Sequence, residues 1–467
     1  FINADAEFYA GRAQNYLQPE HIEKIASTFE RWQDVPDYAH CVSLEEIASP
    51  ANDFNLNVRR YVDNSPPPES HDVHAHLVGG VPLAEVTAQQ ELFRSLGFTP
   101  ERAFARRADD AQYLDFTAAL NARTAVAPLI AEDAGVQARK TAMRKALAAW
   151  WQEHAKSLAE LHNGQRGLNA VRAEMLASFT DALLPLEILD RFKLAAAVAT
   201  WWADTLPDFK TLIENGFAGV IEGWVDAIAD AVEDDDSTGS VFDPFNHKLV
   251  LRTMTDYLQQ IDHAKDDIAR LKGEKEAFEQ SNQPDDADDE ELEAWNYAKE
   301  LDGQIRELKR DNRDALRELK KLETAASRRG ADNDCRRAFA TATAALQPTL
   351  DRIAALEAEL TPYEKLKTDL AEARARYRDL TDYFVTELRL RCGGMDAAEK
   401  QTLVLDLFAQ DIQAGLDAAV AAREQTLVRF IEGLWDKYRT PLCTLQADRD
   451  ATASRLAEMM RRIGYVQ

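Results

Sequence analysis

His71-Asp72-Val73-His74-Ala75-His76 places three imidazoles and a carboxylate within six positions, side chains of the kind that ligate metals. A structural zinc takes four such ligands on a rigid frame. Here the cluster follows Ser65-Pro66-Pro67-Pro68-Glu69 and precedes Gly79-Gly80, and HExxH is absent, so a solvated or surface-packed linker is expected. Trp150-Trp151 and Trp201-Trp202 have the rings to stack nucleobases. Adjacent helical positions point about 100° apart, so one ring of each pair is expected in a core and the other in an inter-helix seam. Asp234-Asp235-Asp236 and residues 285–291 lack the glycine and ligand spacing of a calcium loop and read as solvated acidic loops. The doublets Arg328-Arg329, Arg336-Arg337 and Arg461-Arg462 read as helix-surface ion pairs. No GxxxxGK[ST] loop, GxSxG elbow or strand-GxGxxG-helix is present, and no nucleophile, base and oxyanion donor assemble. No catalytic, cofactor-binding or metal-ligating residue is therefore assigned.

The elements around these residues are long helices. From Met254 to Leu322 two amphipathic arms carry apolar residues at steps of three and four, the mark of a coiled-coil seam. Ile261, Ile268 and Leu271 lie on the first arm's seam, and Ile305, Leu308, Asn312 and Leu319 on the second. Pro284 and the carboxylates around it suit a turn, so the arms are expected to fold back on each other as an antiparallel hairpin, with Asn312 fixing register. Such a rod has no pocket and serves as spacer, clamp or docking surface. The second arm is the richer in Lys and Arg, and it is the expected local contact if the chain touches nucleic acid.

The fold expected is mainly α, multi-helical, with the hairpin and a small α/β remnant at the N-terminus. Residues 1–63 carry the mixed signal: a strand end at Phe1–Ala4, a helix from Pro19 to Trp32, a capping box at Ser43/Glu46 and an extended piece over Asn55–Val62. A Pro/Gly linker follows at 64–80. Residues 81–240 read as helical, broken at Gly97, Pro128, Gly164–Gly167 and Pro207. The hairpin takes 241–330. Residues 331–467 form a C-terminal helical region, restarted by a second capping box at Thr361-Pro362-Tyr363-Glu364 and stopped at Gly393-Gly394.

With 467 residues, 45% of them hydrophobic, the chain can build two or three cored domains. A formal charge of -26 opposes unaided binding to duplex DNA, so a nucleic-acid role calls for a basic partner or a local basic face. Four scattered cysteines suit a reducing cytoplasm, and no apolar run reaches the length of a membrane span. The chain starts in mid-pattern at Phe1 without an initiator methionine, which leads to the expectation of a fragment of something longer.

Phe1-Ile2-Asn3-Ala4, Phe8-Tyr9-Ala10-Gly11-Arg12-Ala13-Gln14-Asn15-Tyr16-Leu17 and Glu20–Ile25 resemble the end of the methyltransferase domain in modification subunits of type I restriction–modification systems. The blocks Val42–Ile47 and Phe54–Asp63 continue the resemblance in the same order, and it is looser beyond Gly80. The resemblance implies a host-defence DNA methyltransferase, adenine-specific and dependent on S-adenosylmethionine. It implies a DNA-specificity subunit, a second modification subunit and a restriction subunit as partners, with DNA reached through that complex and no membrane. Residues 1–63 are then the closing edge of the methyltransferase domain. The family's Asn-Pro-Pro-Tyr or Asn-Pro-Pro-Phe motif and its cofactor loop lie upstream of the matched blocks, and Asn64-Ser65-Pro66-Pro67 is no substitute. No cofactor site is therefore expected within this chain, and it is expected to be inactive alone. Apolar stripes at the chain's end are candidates for docking the specificity subunit: Leu403, Leu407, Phe408, Leu427, Phe430, Trp435, Leu456 and Met459. The rival expectation is a coiled-coil scaffold or clamp unrelated to methylation.

Overall fold

The computed structural model describes residues 1–65, 69–162, 164, 166–233, 243–282, 296–328 and 332–465, and the fold is mainly α. In chain order its elements begin with β1 (Tyr9–Ala10), β2 (Asn15–Tyr16), α1 (Pro19–Arg31), α2 (Leu44–Ile47), α3 (Val73–Val78), β3 (Val81–Pro82), α4 (Leu83–Ala88) and α5 (Gln90–Leu96). Next come β4 (Phe104–Arg106), β5 (Tyr113–Phe116), α6 (Val126–Ala131), α7 (Ala134–Ala159), α8 (Leu168–Leu183) and α9 (Arg191–Glu233). The chain ends with α10 (Lys248–Thr253), α11 (Thr255–Ser281), α12 (Tyr297–Asp311), α13 (Arg313–Ala326), α14 (Asn333–Gly393), α15 (Ala397–Tyr438) and α16 (Leu442–Arg462). They form two compact units, 1–223 with 396–467, and 224–395. Helix α14, grouped with the C-terminal region in the sequence reading, thus lies in one unit with the hairpin arms.

In the first unit the N-terminal block closes on itself. The Asn3 side chain is buried and donates to the Val62 carbonyl at 3.1 Å, Ile2 bridges to Ala39, and Phe1 stacks on Tyr61 at 4.2 Å. The extended piece expected over 55–62 is instead a 3-10 turn at Val58–Arg60, because Asn57 caps it by accepting from the Arg59 amide at 3.1 Å. Ser43 accepts from the Glu46 amide at 3.1 Å and starts α2.

Residues 81–240 are not all helical. An antiparallel sheet of order β3-β5-β4 pairs Val81 with Leu114 and Phe104 with Phe116. Strands of two to four residues give too few alternations for a period of two to stand out. The sheet's apolar side joins Val81, Phe104 and Leu114 to Leu427, Ile431 and Leu434 of α15 in one core. A second core holds Trp150, which meets Phe179 edge-on at 5.0 Å, and both Trp201 and Trp202, 5.7 and 4.6 Å from Phe209. The expected division into one core and one seam ring holds for Trp150 and the half-buried Trp151 but not for the second pair, because Phe209 packs against both of its rings. Pro207 does not break α9. The interruption falls at Gly216, whose φ of 70° is open to glycine and strained for L side chains.

In the second unit the two arms do not fold back on each other. Both run antiparallel to α14 and lie end to end along it. Tyr257 donates to the Leu380 carbonyl at 2.8 Å, and Leu271 packs on Leu370 and Ala373. Phe278, Tyr297 and Tyr363 then meet in a three-ring cluster, after which Leu301 and Ile305 pack on Ile353 and Leu356. A seam with a period near 3.5 states that a partner helix is needed, not which one. The 61-residue α14, about 90 Å long at about 1.5 Å per residue, offers one continuous face to both arms. Ile261, Leu271 and Ile305 are buried there, while Ile268, Leu308 and Leu319 are half-buried. Asn312 is not a core register residue; it sits at the joint between α12 and α13, and its side chain donates to the Leu308 carbonyl at 3.0 Å.

Helix α14 also passes unbroken through Pro348 and Pro362, so the capping box expected at Thr361 does not form. The Thr361 hydroxyl donates back to the Glu357 carbonyl at 2.7 Å, and Tyr363, 2% exposed, anchors the turn in the ring cluster. Residues 234–236 and, from 283 onward, the turn expected between the arms fall outside the described residues.

Candidate partner-docking surfaces

Helix α15 starts from Asp396, which accepts from the amides of Ala398 and Glu399 while Glu399 caps the Asp396 amide in return. Its apolar stripe is turned inward. Leu403, Leu407, Phe408 and Leu427 are buried in the first unit's own core. The Phe408 carbonyl accepts from the Trp201 indole at 3.1 Å, and its ring lies 5.3 Å from that of Phe209. Phe430 and Trp435 are half-buried, against Phe93 at 6.0 Å and Phe116 at 4.9 Å. Leu456 and Met459, on α16, are 57% and 64% exposed.

Helix α16 buries none of its residues. Leu442, Leu445, Leu456, Met459 and the following Ile463 fall within about 100° of one another around the helix axis. All five are exposed, Ile463 by 76%. The helix touches the first unit at its start, where Pro441 lies against Gly79 and the Cys443 thiol against the Val78 carbonyl. The sequence stripe had marked two of these five positions. Leu442 and Leu445 could have been found by extending the same phase backward one turn at a time from Leu456.

The histidine segment is folded rather than loose. Asp72 caps α3 by accepting from the Ala75 amide at 2.8 Å and takes the Tyr113 hydroxyl at 3.2 Å. His71 Nδ1 and His76 Nε2 are 3.2 Å apart, while His74 faces Tyr113 with ring centroids 5.0 Å apart. The three imidazoles therefore do not converge, and no group of three or more metal-ligating side chains occurs among the described residues. Tyr438 completes the network by donating to Glu85 at 2.6 Å and accepting from the Asp72 amide at 3.2 Å. Burial, and then the Glu85 carboxylate, push its phenol up to about 12. Residues this far apart in the chain share no spacing that a sequence motif could display.

The N-terminal block leaves an apolar groove of about 410 Å³, bordered by Phe1, Ile2, Phe29, Trp32, Ala39 and Val42. Phe29 is 63% exposed and Trp32 72%. Beneath it Lys24 pairs with Glu7 and lies 4.1 Å from the Tyr38 ring centroid, holding α1 against the block. No helix among the described residues is long and apolar enough to cross a membrane.

Residues 1–70 match the family model for N-6 DNA Methylase. The chain is 45% identical over 65 residues to the type I restriction enzyme MjaVII methylase subunit of Methanocaldococcus jannaschii, 13% of this chain and 11% of that protein. It is 41% identical over 76 residues to the MjaVIII methylase subunit of the same organism, 16% of this chain and 12% of that protein. The chain thus spans about a tenth of the length of the curated relatives it matches. No solved structure matches it. In sequence, the N-terminal block is similar to N-6 DNA methylases of the type I restriction enzyme class.

Proposed function

We propose that this chain is the helical part of an adenine-specific, S-adenosylmethionine-dependent DNA methyltransferase subunit of a type I restriction–modification system, and that it serves assembly rather than methyl transfer. The observation that carries the reading is the match of residues 1–70 to N-6 DNA Methylase, supported by blocks recurring in order through Asp63. The partner is the DNA-specificity subunit, within a complex that also holds a second modification subunit and a restriction subunit. Its docking surface is the α16 stripe around Leu456 and Met459, since Leu403, Leu407, Phe408 and Leu427 are already packed within this chain. A helix with a continuous apolar face on one side suits a helix or groove of a partner. The acidic chain, at -26, complements a basic, DNA-reading subunit.

Co-purification with a candidate specificity subunit tests this. The full chain is compared with a version ending at Thr440, a version lacking residues 254–322, and the Leu456→Asp/Met459→Asp variant. Loss of the complex on truncation at Thr440 and in the double variant is expected. Full retention in both sinks the docking assignment.

A further inference from the structure

Within the second unit, charge is distributed unevenly along α14. Residues 312–347 carry eight Lys and Arg against five Asp and Glu, in a chain whose formal charge is -26. This stretch is the end of the rod where α13 pairs with the start of α14. Arg313, Arg317 and Lys320 recur on α13 at steps of four and three, one turn apart, on the side away from the half-buried Leu316, Leu319 and Leu322. Arg328 lies just past the end of α13 and Arg336 in the first turn of α14, and both are exposed. Arg313 lies 3.9 Å from Asp314, Lys321 pairs with Glu318 at 3.1 Å, and Arg337 lies 3.9 Å from Asp334. Among the described residues Arg317, Lys320, Arg328 and Arg336 have no carboxylate partner within ion-pair distance.

We infer that this basic end of the second unit contacts the phosphate backbone of a nucleic acid. The rest of α14 extends about 70 Å farther, to Gly393, whereas the Debye length at physiological salt is about 8 Å. Charges more than a Debye length along the unit are screened, so at the end itself the local excess of cations decides what approaches. Cations one helical turn apart, about 5.4 Å, address a regularly repeating polyanion rather than one carboxylate. Absence of buried residues on α13 leaves no apolar anchor of the kind a protein partner's hot spot takes, which favours a nucleic-acid backbone over an acidic protein face. The contact is sequence-independent, and this charge argument stands whether or not the methyltransferase reading does.

The test is fluorescence anisotropy of a labelled duplex of arbitrary sequence with the full chain, titrated with salt from about 25 mM, the range in which phosphate contacts are strongest. The Arg317→Gln/Lys320→Gln/Arg328→Gln/Arg336→Gln variant is run beside it, with thermal melting to verify that both fold. Binding that weakens with a log–log salt slope of about -3 to -4, and at least about tenfold weaker binding by the variant at the lowest salt, is the expected result. Neutralising the paired cations Arg270 and Lys272 of α11 should leave the affinity unchanged. No binding at the lowest salt, equal binding by the quadruple variant, or capture of poly-glutamate but not of the duplex each overturns the inference.

Discussion

Tyr438 joins α4, the α3 cap and the end of α15 through one hydroxyl group. Tyr438→Phe removes a hydrogen bond to a carboxylate and orphans the Asp72 amide, so it should cost about 1–3 kcal/mol in urea unfolding. Its titration runs in one direction. The folded phenol is raised to about 12 from an ordinary 10, so its contribution to stability is complete below pH 10 and is lost as pH rises toward 12. His247 works at the other end of the scale. Burial, with Lys248 beside it, lowers its imidazole to about 4 while its Nδ1 accepts from the Leu249 amide at 3.2 Å. The unfolded chain takes up that proton near pH 6.5, so stability is full above this and falls as pH drops toward 4. His247→Asn keeps an N-cap and should flatten the loss across that window, as chemical denaturation at a series of pH values would register. Asp256 is held at about 2 by the Arg391 guanidinium, with Nη2 to Oδ2 at 2.9 Å, so its share is present above pH 4 and disappears toward 2. None of these pairings was legible beforehand. The sequence displayed His71, His74 and His76 as a group, but backbone geometry sends His74 to Tyr113 and leaves the other two facing each other.

Among the elements, the best-read were those whose boundaries are chemical. Gly393-Gly394 marks the end of α14, and Gly97 closes α5 in the left-handed region at φ 73°. The failures share one cause, that local signals were outvoted by packing. Pro362 loses its hydrogen bond to the Ala358 carbonyl, yet Phe278 and Tyr297 hold Tyr363 in a helical turn. Tyr363→Ala should therefore cost about 3–5 kcal/mol, with the loss visible as a lower urea midpoint. Asn312 is a joint, so Asn312→Ala should cost about 1 kcal/mol or less and leave the sedimentation coefficient unchanged. A register-setting core residue would change the oligomeric state instead. Gly216→Ala meets both a positive φ and the His162 ring, 3.1 Å from the added carbon, and should destabilise by about 1–2 kcal/mol.

For the molecule as a whole, the first unit is closed by residues from both ends of the chain, a pairing that composition and linkers cannot reveal. Its stability should not depend on α16, which buries nothing. Ending the chain at Thr440 is expected to leave the melting temperature within about 2 °C, while complex formation with a specificity subunit is lost. A drop of 5 °C or more would mean that the helix is part of the core. The amphipathic stripes of α15 and α16 look alike in sequence because apolar spacing reports a need for cover and not its source. For α15 the source is the chain itself, through Trp201, Phe209 and the β3-β5-β4 module.

In the second unit, two short helices abut where three aromatic rings bridge them to a single continuous one. Such a splice has the mechanics of a beam with a lap joint, stiff along either ply and most compliant at the seam. Amide exchange should accordingly resolve residues 255–281 and 297–326 as separate opening units, and loss of the Tyr363 ring should uncouple them further.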